Sequence, residues 1–308
     1  MAPTDGSPAP TSTDGRTETP KARRLAFSPS LRPALAFVLA TAVAFPALIA
    51  LADRVLPRTP FAGNLFTAVA ITGVALLAWA VLRWEGLSAA DVGLDREQVL
   101  SGVVAVVAVW LTVNVLGYAL LVLLGEQPAL GLPADPMMGL PVGAPVTRFL
   151  GAAVVLWVFV GIGEEFAFRG YLQNKVIAHL GPGRARIAVG IVSTAVLFAL
   201  VHVPVLVVVQ EFSGTQLGVP LLFITVYTVV LGMLYELTRN LVLVGLFHGT
   251  FDLNPVFVVG ETGEPVGDLT LLVLPVAVLA FWAYRRWAKT ARPADFRAQT
   301  TAPGSGTA

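Results

Sequence analysis

Three carboxylates, two imidazoles and one guanidinium, all set in otherwise apolar sequence, are the groups of this chain best suited to chemistry. Glu164 and Glu165 lie in Gly163-Glu164-Glu165-Phe166-Ala167-Phe168-Arg169, directly after the unbroken apolar run 149–162. His202 closes Phe198-Ala199-Leu200-Val201-His202, and His248 and Asp252 lie in His248-Gly249-Thr250-Phe251-Asp252. An ionisable side chain at the centre of a membrane helix costs about 2.5 to 3.5 kcal/mol on insertion scales. On a helix Glu165 and Arg169 are four apart with the acid first, the favourable order for an ion pair. Glu164 points about 100° away and lacks that partner. The pattern predicts that Glu165 and Arg169 neutralise each other, while Glu164 is presented to a cavity as the reactive group.

Each histidine alone would read as a satisfied hydrogen-bonding residue between helices. Two His, one Asp and two Glu on three apolar segments are most cheaply buried together, so they are expected to converge on one intramembrane polar site. Such a site suits amide hydrolysis. A Glu takes a proton from water and passes it to the leaving amine. One His shares the water and the other donates toward the developing oxyanion. The same atoms are an alternative zinc set, Glu164, His202 and His248, with an open position. The cofactor is therefore left open between none and zinc. His179, before a Gly-Pro-Gly turn, reads as a helix-end residue with no catalytic role.

These residues must be positioned by membrane helices. The 308-residue chain is 56% hydrophobic and only 13% charged, against about 25% charged in soluble domains. The expected fold class is all-α, a polytopic membrane protein of about eight transmembrane helices. Apolar runs of spanning length fall at residues 34–52, 61–82, 99–124, 149–168, 187–209, 219–237, 241–259 and 269–284. The amphipathic continuation 171–180 is expected to run along the membrane interface, and Asn114 and Tyr118 to pack between helices. Residues 1–30 and 291–308 are read as disordered cytoplasmic tails around a transmembrane domain, 31–290. Arg23-Arg24 imitates a twin-arginine signal, but the 19-residue run after it is longer than a signal core and reads as an uncleaved first span.

Composition excludes other classes. Cysteine is absent, which removes disulfide scaffolds and thiol catalysis. No basic domain and no Gly-rich phosphate loop occur, so nucleic acid is not an expected partner. Membrane lipid and a protein or peptide substrate are, and the oligomeric state stays open. There is no His-Glu-x-x-His helix and no Gly-x-Ser-x-Gly elbow. Sixteen of the twenty Lys and Arg residues fall on the side that holds both termini, which predicts both termini in the cytoplasm. The excess of Arg over Lys, amid Ala, Val and Gly, points to a bacterial cell membrane.

Glu-Glu-x-x-x-Arg, Phe-x-x-x-His and His-x-x-x-Asp, in this order on separate apolar runs, resemble the CAAX protease and bacteriocin-processing family, which includes the type II CAAX prenyl endopeptidases. The resemblance covers about 149–259. It implies an intramembrane endopeptidase with an eight-helix core, described in the family both as a glutamic protease and as a metalloprotease. Carried onto this chain, Glu164 is the general base, His202 shares the water and His248 lies at the oxyanion side, with Glu165, Arg169 and Phe198 supporting. The last position is Asp252 here where the prenyl endopeptidases have Asn. Ionised Asp only accepts hydrogen bonds, so Asp252 is expected to accept from His248. That departure argues against a prenylated substrate and leaves peptide leaders or other membrane proteins. The rival reading is a non-proteolytic immunity or scaffolding protein, or a proton-coupled transporter built on the same cluster.

Overall fold

In the computed structural model, the described residues are 27–28, 30–57, 59–133, 140–141, 143–181, 183–259 and 273–287. The expectations for residues 1–26 and 291–308, including the Arg23-Arg24 reading, and for the start of the eighth run lie outside them. Helix α1 is Arg32–Val55, α2 Pro60–Trp84, α3 Arg96–Leu123 and α4 Val146–Leu180. Helix α5 is Arg184–Val208, α6 Gly218–Thr238, α7 Leu241–Asp252 and α8 Val273–Trp287. Strands β1 (Ala129–Leu130) and β2 (Val258–Val259) form one antiparallel pair. This is an integral, all-α membrane fold, in which six of the described helices are long and apolar enough to cross a membrane.

The expected count of eight is not reached, and the seventh run shows why. Only its first 12 residues are helical, ending at Asp252, about 18 Å of helix against a hydrocarbon core of about 30 Å. The remainder runs extended to β2. Even so, the run traverses the height of α3. At its start Leu241 N donates to Gly93 O at 2.9 Å, and at its end Val259 pairs with Ala129. Side chains satisfy the extended backbone that a membrane interior would otherwise leave unpaired. Trp157 Nε1 donates to Leu253 O at 2.9 Å, Asn114 Nδ2 donates to Pro255 O at 2.9 Å, and Asn114 Oδ1 accepts from Phe257 N. Asn114 thus packs between elements as expected, whereas Tyr118 is exposed.

Helix α7 is the most enclosed element, buried along almost its whole length. Asn240 caps it, accepting from Leu243 N at 2.9 Å, and the same amide donates to Gln98 O at 3.0 Å and Tyr284 OH at 3.1 Å. Its contact with α4 is backbone to backbone. A Cβ on Gly245 would lie 2.6 Å from Ile162 Cα, and one on Gly249 would strike the Leu156 carbonyl. Gly161 faces them from α4, so small residues on both helices allow the approach.

The interfacial placement of 171–180 is overturned. Helix α4 continues without a break from Val146 to Leu180, and residues 166–175 are buried on every side. The polar residues that gave this stretch its amphipathic look face partners inside the bundle. Lys175 Nζ reaches Glu85 Oε2 at 2.8 Å, Ser28 O at 2.7 Å and Ser28 Oγ at 3.0 Å. Asn174 Nδ2 donates to Tyr235 OH at 2.7 Å, and Arg239 Nη1 donates to Asn174 Oδ1 at 2.8 Å. His179 falls in the last turn, where a helix-end residue belongs.

Candidate active site

Helix α4 carries the two glutamates between two π-helical stretches, Val154–Ile162 and Phe166–Gln173. Each widens the turn by one residue, a rare geometry that occurs mostly at functional sites. Glu165 is fully buried and Glu164 nearly so. Arg169 Nη1 stands 2.9 Å from Glu165 Oε1, as the four-residue spacing predicts, and Arg169 Nη2 donates to Thr228 O of α6 at 3.1 Å.

The close approach of α7 brings His248 onto the same carboxylate. His248 Nδ1 lies 2.8 Å from Glu165 Oε1, and because a carboxylate only accepts, the ring nitrogen donates. The opposite nitrogen, Nε2, faces Glu164 Oε2 at 3.9 Å and Asp252 Oδ2 at 3.7 Å. The expected His248–Asp252 hydrogen bond is therefore not made: the two sit four apart on α7, but the ring turns its bonding edge toward α4. Glu165, read as the partner of Arg169, is the partner of His248 as well.

His202 sits at a break in α5. Pro204 has no N–H and its ring disfavours continuing the helix, and His202 N bonds Ala199 O at 3.1 Å, one residue short of α-helical spacing. The Phe198 carbonyl, released from its helical partner, is bonded instead by His202 Nδ1 at 2.8 Å. A carbonyl only accepts, so Nδ1 carries the proton and neutral His202 keeps a lone pair at Nε2. The Phe198 ring lies among His202 (4.5 Å between centroids), His248 (5.9 Å) and the Arg169 guanidinium (4.8 Å).

Glu164 and His202 line one small cavity with Thr41, Phe45, Ile71 and Val74 of α1 and α2. Its volume of about 20 Å³ exceeds the roughly 10–15 Å³ that one water needs. Beside it along the same two helices runs an open apolar groove of about 400 Å³ that includes Leu48, Leu51, Phe66 and Val69. The three sequence motifs thus meet on α4, α5 and α7 around one carboxylate that borders a cavity large enough for a water. Residues 146–254 match the family described as type II CAAX prenyl endopeptidase Rce1-like. That match agrees with the family its three motifs resemble. No curated protein and no solved structure matches it.

The family match supports an intramembrane endopeptidase of CAAX-protease type. Zinc was the open question of its chemistry. Among the described residues no three His, Asp or Glu side chains converge as ligands of one ion. His248 Nδ1 is taken by Glu165 and His202 Nδ1 by a carbonyl. Both Nε2 atoms stay available, the tautomers a metal would also use, but with no three groups convergent among the described residues no ready ligand set is formed.

Sequence reasoning missed three parts of this site. Thr228 contributes only its carbonyl, which any residue would supply. Tyr227 reaches His248 from α6, its hydroxyl 3.4 Å from His248 O and its ring 5.8 Å from the imidazole. A lone Tyr in an apolar run gives no signal of its partner. The Gly245-x-x-x-Gly249 spacing was visible and is the feature that could have placed α7 against α4.

Proposed function

We propose that the chain hydrolyses a peptide bond of a membrane-associated protein or peptide, with water activated by Glu164 and His202. The observation that carries this reading is the cavity sized for about one water between these two side chains. Water there donates one hydrogen bond to Glu164 and the other to His202 Nε2. As its oxygen attacks the scissile carbonyl, Glu164 takes the proton and the carbonyl π pair moves onto oxygen. His248, anchored by Glu165, directs Nε2 toward that oxygen. Collapse expels the amine, which receives the proton from Glu164. The apolar groove beside the cavity suits a substrate held within the bilayer.

The test compares membrane proteomes of cells carrying the wild type and Glu164→Gln. New protein termini should accumulate only with the wild type. Identical termini in both, from equally abundant and inserted proteins, would leave the immunity, scaffolding or transport reading standing instead.

Within the same proposal, the end of the molecule holding Arg83, Arg96, Lys175, Arg184 and Arg239 faces the cytoplasm, because basic residues gather there. A reporter fused at Arg184 should read as cytoplasmic and one at Pro57 as external. The reverse pattern would invert the orientation.

A further inference from the structure

An oxyanion forming at this site would arise beside Glu164, Glu165 and Asp252, three groups that when ionised offer acceptors and no donors. It needs hydrogen-bond donors, and most donors nearby are already engaged. Arg169 donates from Nη2 to Thr228 O, and its Nη1, without a hydrogen bond among the described residues, is held against the buried Glu165 carboxylate at 2.9 Å. His202 Nδ1 is fixed on Phe198 O. The hydroxyls of Thr225 and Thr228 bond carbonyls of their own helix at 2.7 Å. Trp157 Nε1 holds Leu253 O.

One donor that touches His248 is only loosely held. Among the described residues the Tyr227 hydroxyl has a single hydrogen bond, to His248 O at 3.4 Å, well beyond the usual 2.7–2.8 Å of an O–H···O bond. A buried Tyr hydroxyl ordinarily finds a better partner. Its ring, by contrast, is firmly placed. Phe223 stacks on it at 6.2 Å and 8° between planes, Phe251 packs at 5.1 Å, and His248 meets it edge-on at 5.8 Å. A fixed, half-buried ring with an underused O–H beside His248 has the form of a preorganised donor.

We infer that Tyr227 is a catalytic residue, its hydroxyl donating a hydrogen bond to the carbonyl oxygen of the scissile bond as negative charge develops there. No proton is transferred by Tyr227. The proton of water goes to Glu164 and then to the leaving amine, and the phenol releases the oxygen when the tetrahedral centre collapses. The inference rests on the peptidase reading above.

The experiment uses full-length protein in phosphatidylcholine–phosphatidylglycerol vesicles. Its probe is a fluorogenic membrane-embedded peptide bearing the cleavage site found in the proteome comparison. Tyr227→Phe keeps the ring and loses only the hydroxyl. Its kcat should fall about 10²-fold with KM and melting temperature unchanged, the size of loss typical of an oxyanion donor. The second arm repeats the change in an Asp252→Asn background. Asn brings its own N–H donor to this place, so there Tyr227→Phe should cost tenfold less. Wild-type kcat in Tyr227→Phe, or an equal loss in both backgrounds, overturns the inference while Glu164-dependent cleavage keeps the peptidase reading. Absence of Glu164-dependent cleavage in the wild type overturns both.

Discussion

Helix α4 buries charge at two places some ten residues apart, and the two are built in opposite ways. Around Lys175 the accounts of donor and acceptor close. Its ammonium meets Glu85 and both oxygens of Ser28, and Tyr171 OH adds a contact to Glu85 at 3.4 Å. Neighbouring Asn174 engages both ends of its amide. Around Glu164 they do not close. Three carboxylates share Arg169 and His248, the nearest cationic atom to Glu164 is 3.9 Å away, and Glu165 Oε2 is buried without a hydrogen bond. A satisfied network fixes structure, while an unsatisfied buried acceptor is retained only for what it does. Under the proposed function, the same helix carries a rivet and a reagent.

Substitutions separate the two. The largest effect is expected from Glu164→Gln, which keeps shape but cannot take a proton. Turnover should fall about 10³-fold or more with an unchanged melting curve. His202→Ala should match it, and stoichiometric zinc in active protein, lost together with activity in this variant, would sink the metal-free account. Lys175→Met should do the reverse. It leaves Glu85 buried without its cation, a loss of about 3–5 kcal/mol. Thermal unfolding should shift strongly, while kcat per folded molecule stays within about twofold of the wild type. A Lys175→Met protein that is stable yet inactive would erase the distinction between the two regions.

Glu165→Gln tests whether one residue can belong to both. Gln still accepts from His248 but no longer balances Arg169, so a loss of about 3 kcal/mol should accompany roughly a tenfold fall in kcat. Gly249→Ala acts from outside the polar groups. The new methyl must push α7 off α4 at an overpacking cost of about 1–3 kcal/mol. Because His248 is the preceding residue, kcat should drop with stability, measured by activity and melting on the same preparation. Asp252→Asn should change least, kcat staying within about tenfold, since no hydrogen bond to His248 is lost and Asn adds a donor.

The pairing of motifs was legible because ionisable residues stand out in apolar sequence and helical spacing fixes which share a face. Glu165 and Arg169 could be paired on paper, and so could the meeting of three runs. What the sequence hid has physical causes. Outside His248, Thr250, Asp252 and Asn254 the run 241–259 is apolar, and apolarity alone does not distinguish helix from a strap whose carbonyls are served by Trp157 and Asn114. Nothing local in the sequence pairs Lys175 with Glu85, 90 residues away. The π-helical turns of α4 leave no trace in composition. The geometry at His248 depended on Gly245 and Gly249, residues whose contribution is what they lack.

The strap after α7 also bears on motion. Helix α7 is tied at its start by Asn240 and Gly93 and at its far side by Trp157, Asn114 and the β1–β2 pair. A short rod held at both ends can neither piston nor tilt, so His248 and its carboxylates form a stationary anvil. Facing it are α1 and α2, which meet the cavity through Thr41, Phe45, Ile71 and Val74, and α5, broken at His202. Contacts without long-range hydrogen bonds yield first. For the peptidase proposed above, the opening that admits a peptide is expected on that side, the bundle hinging like a jaw against a fixed plate.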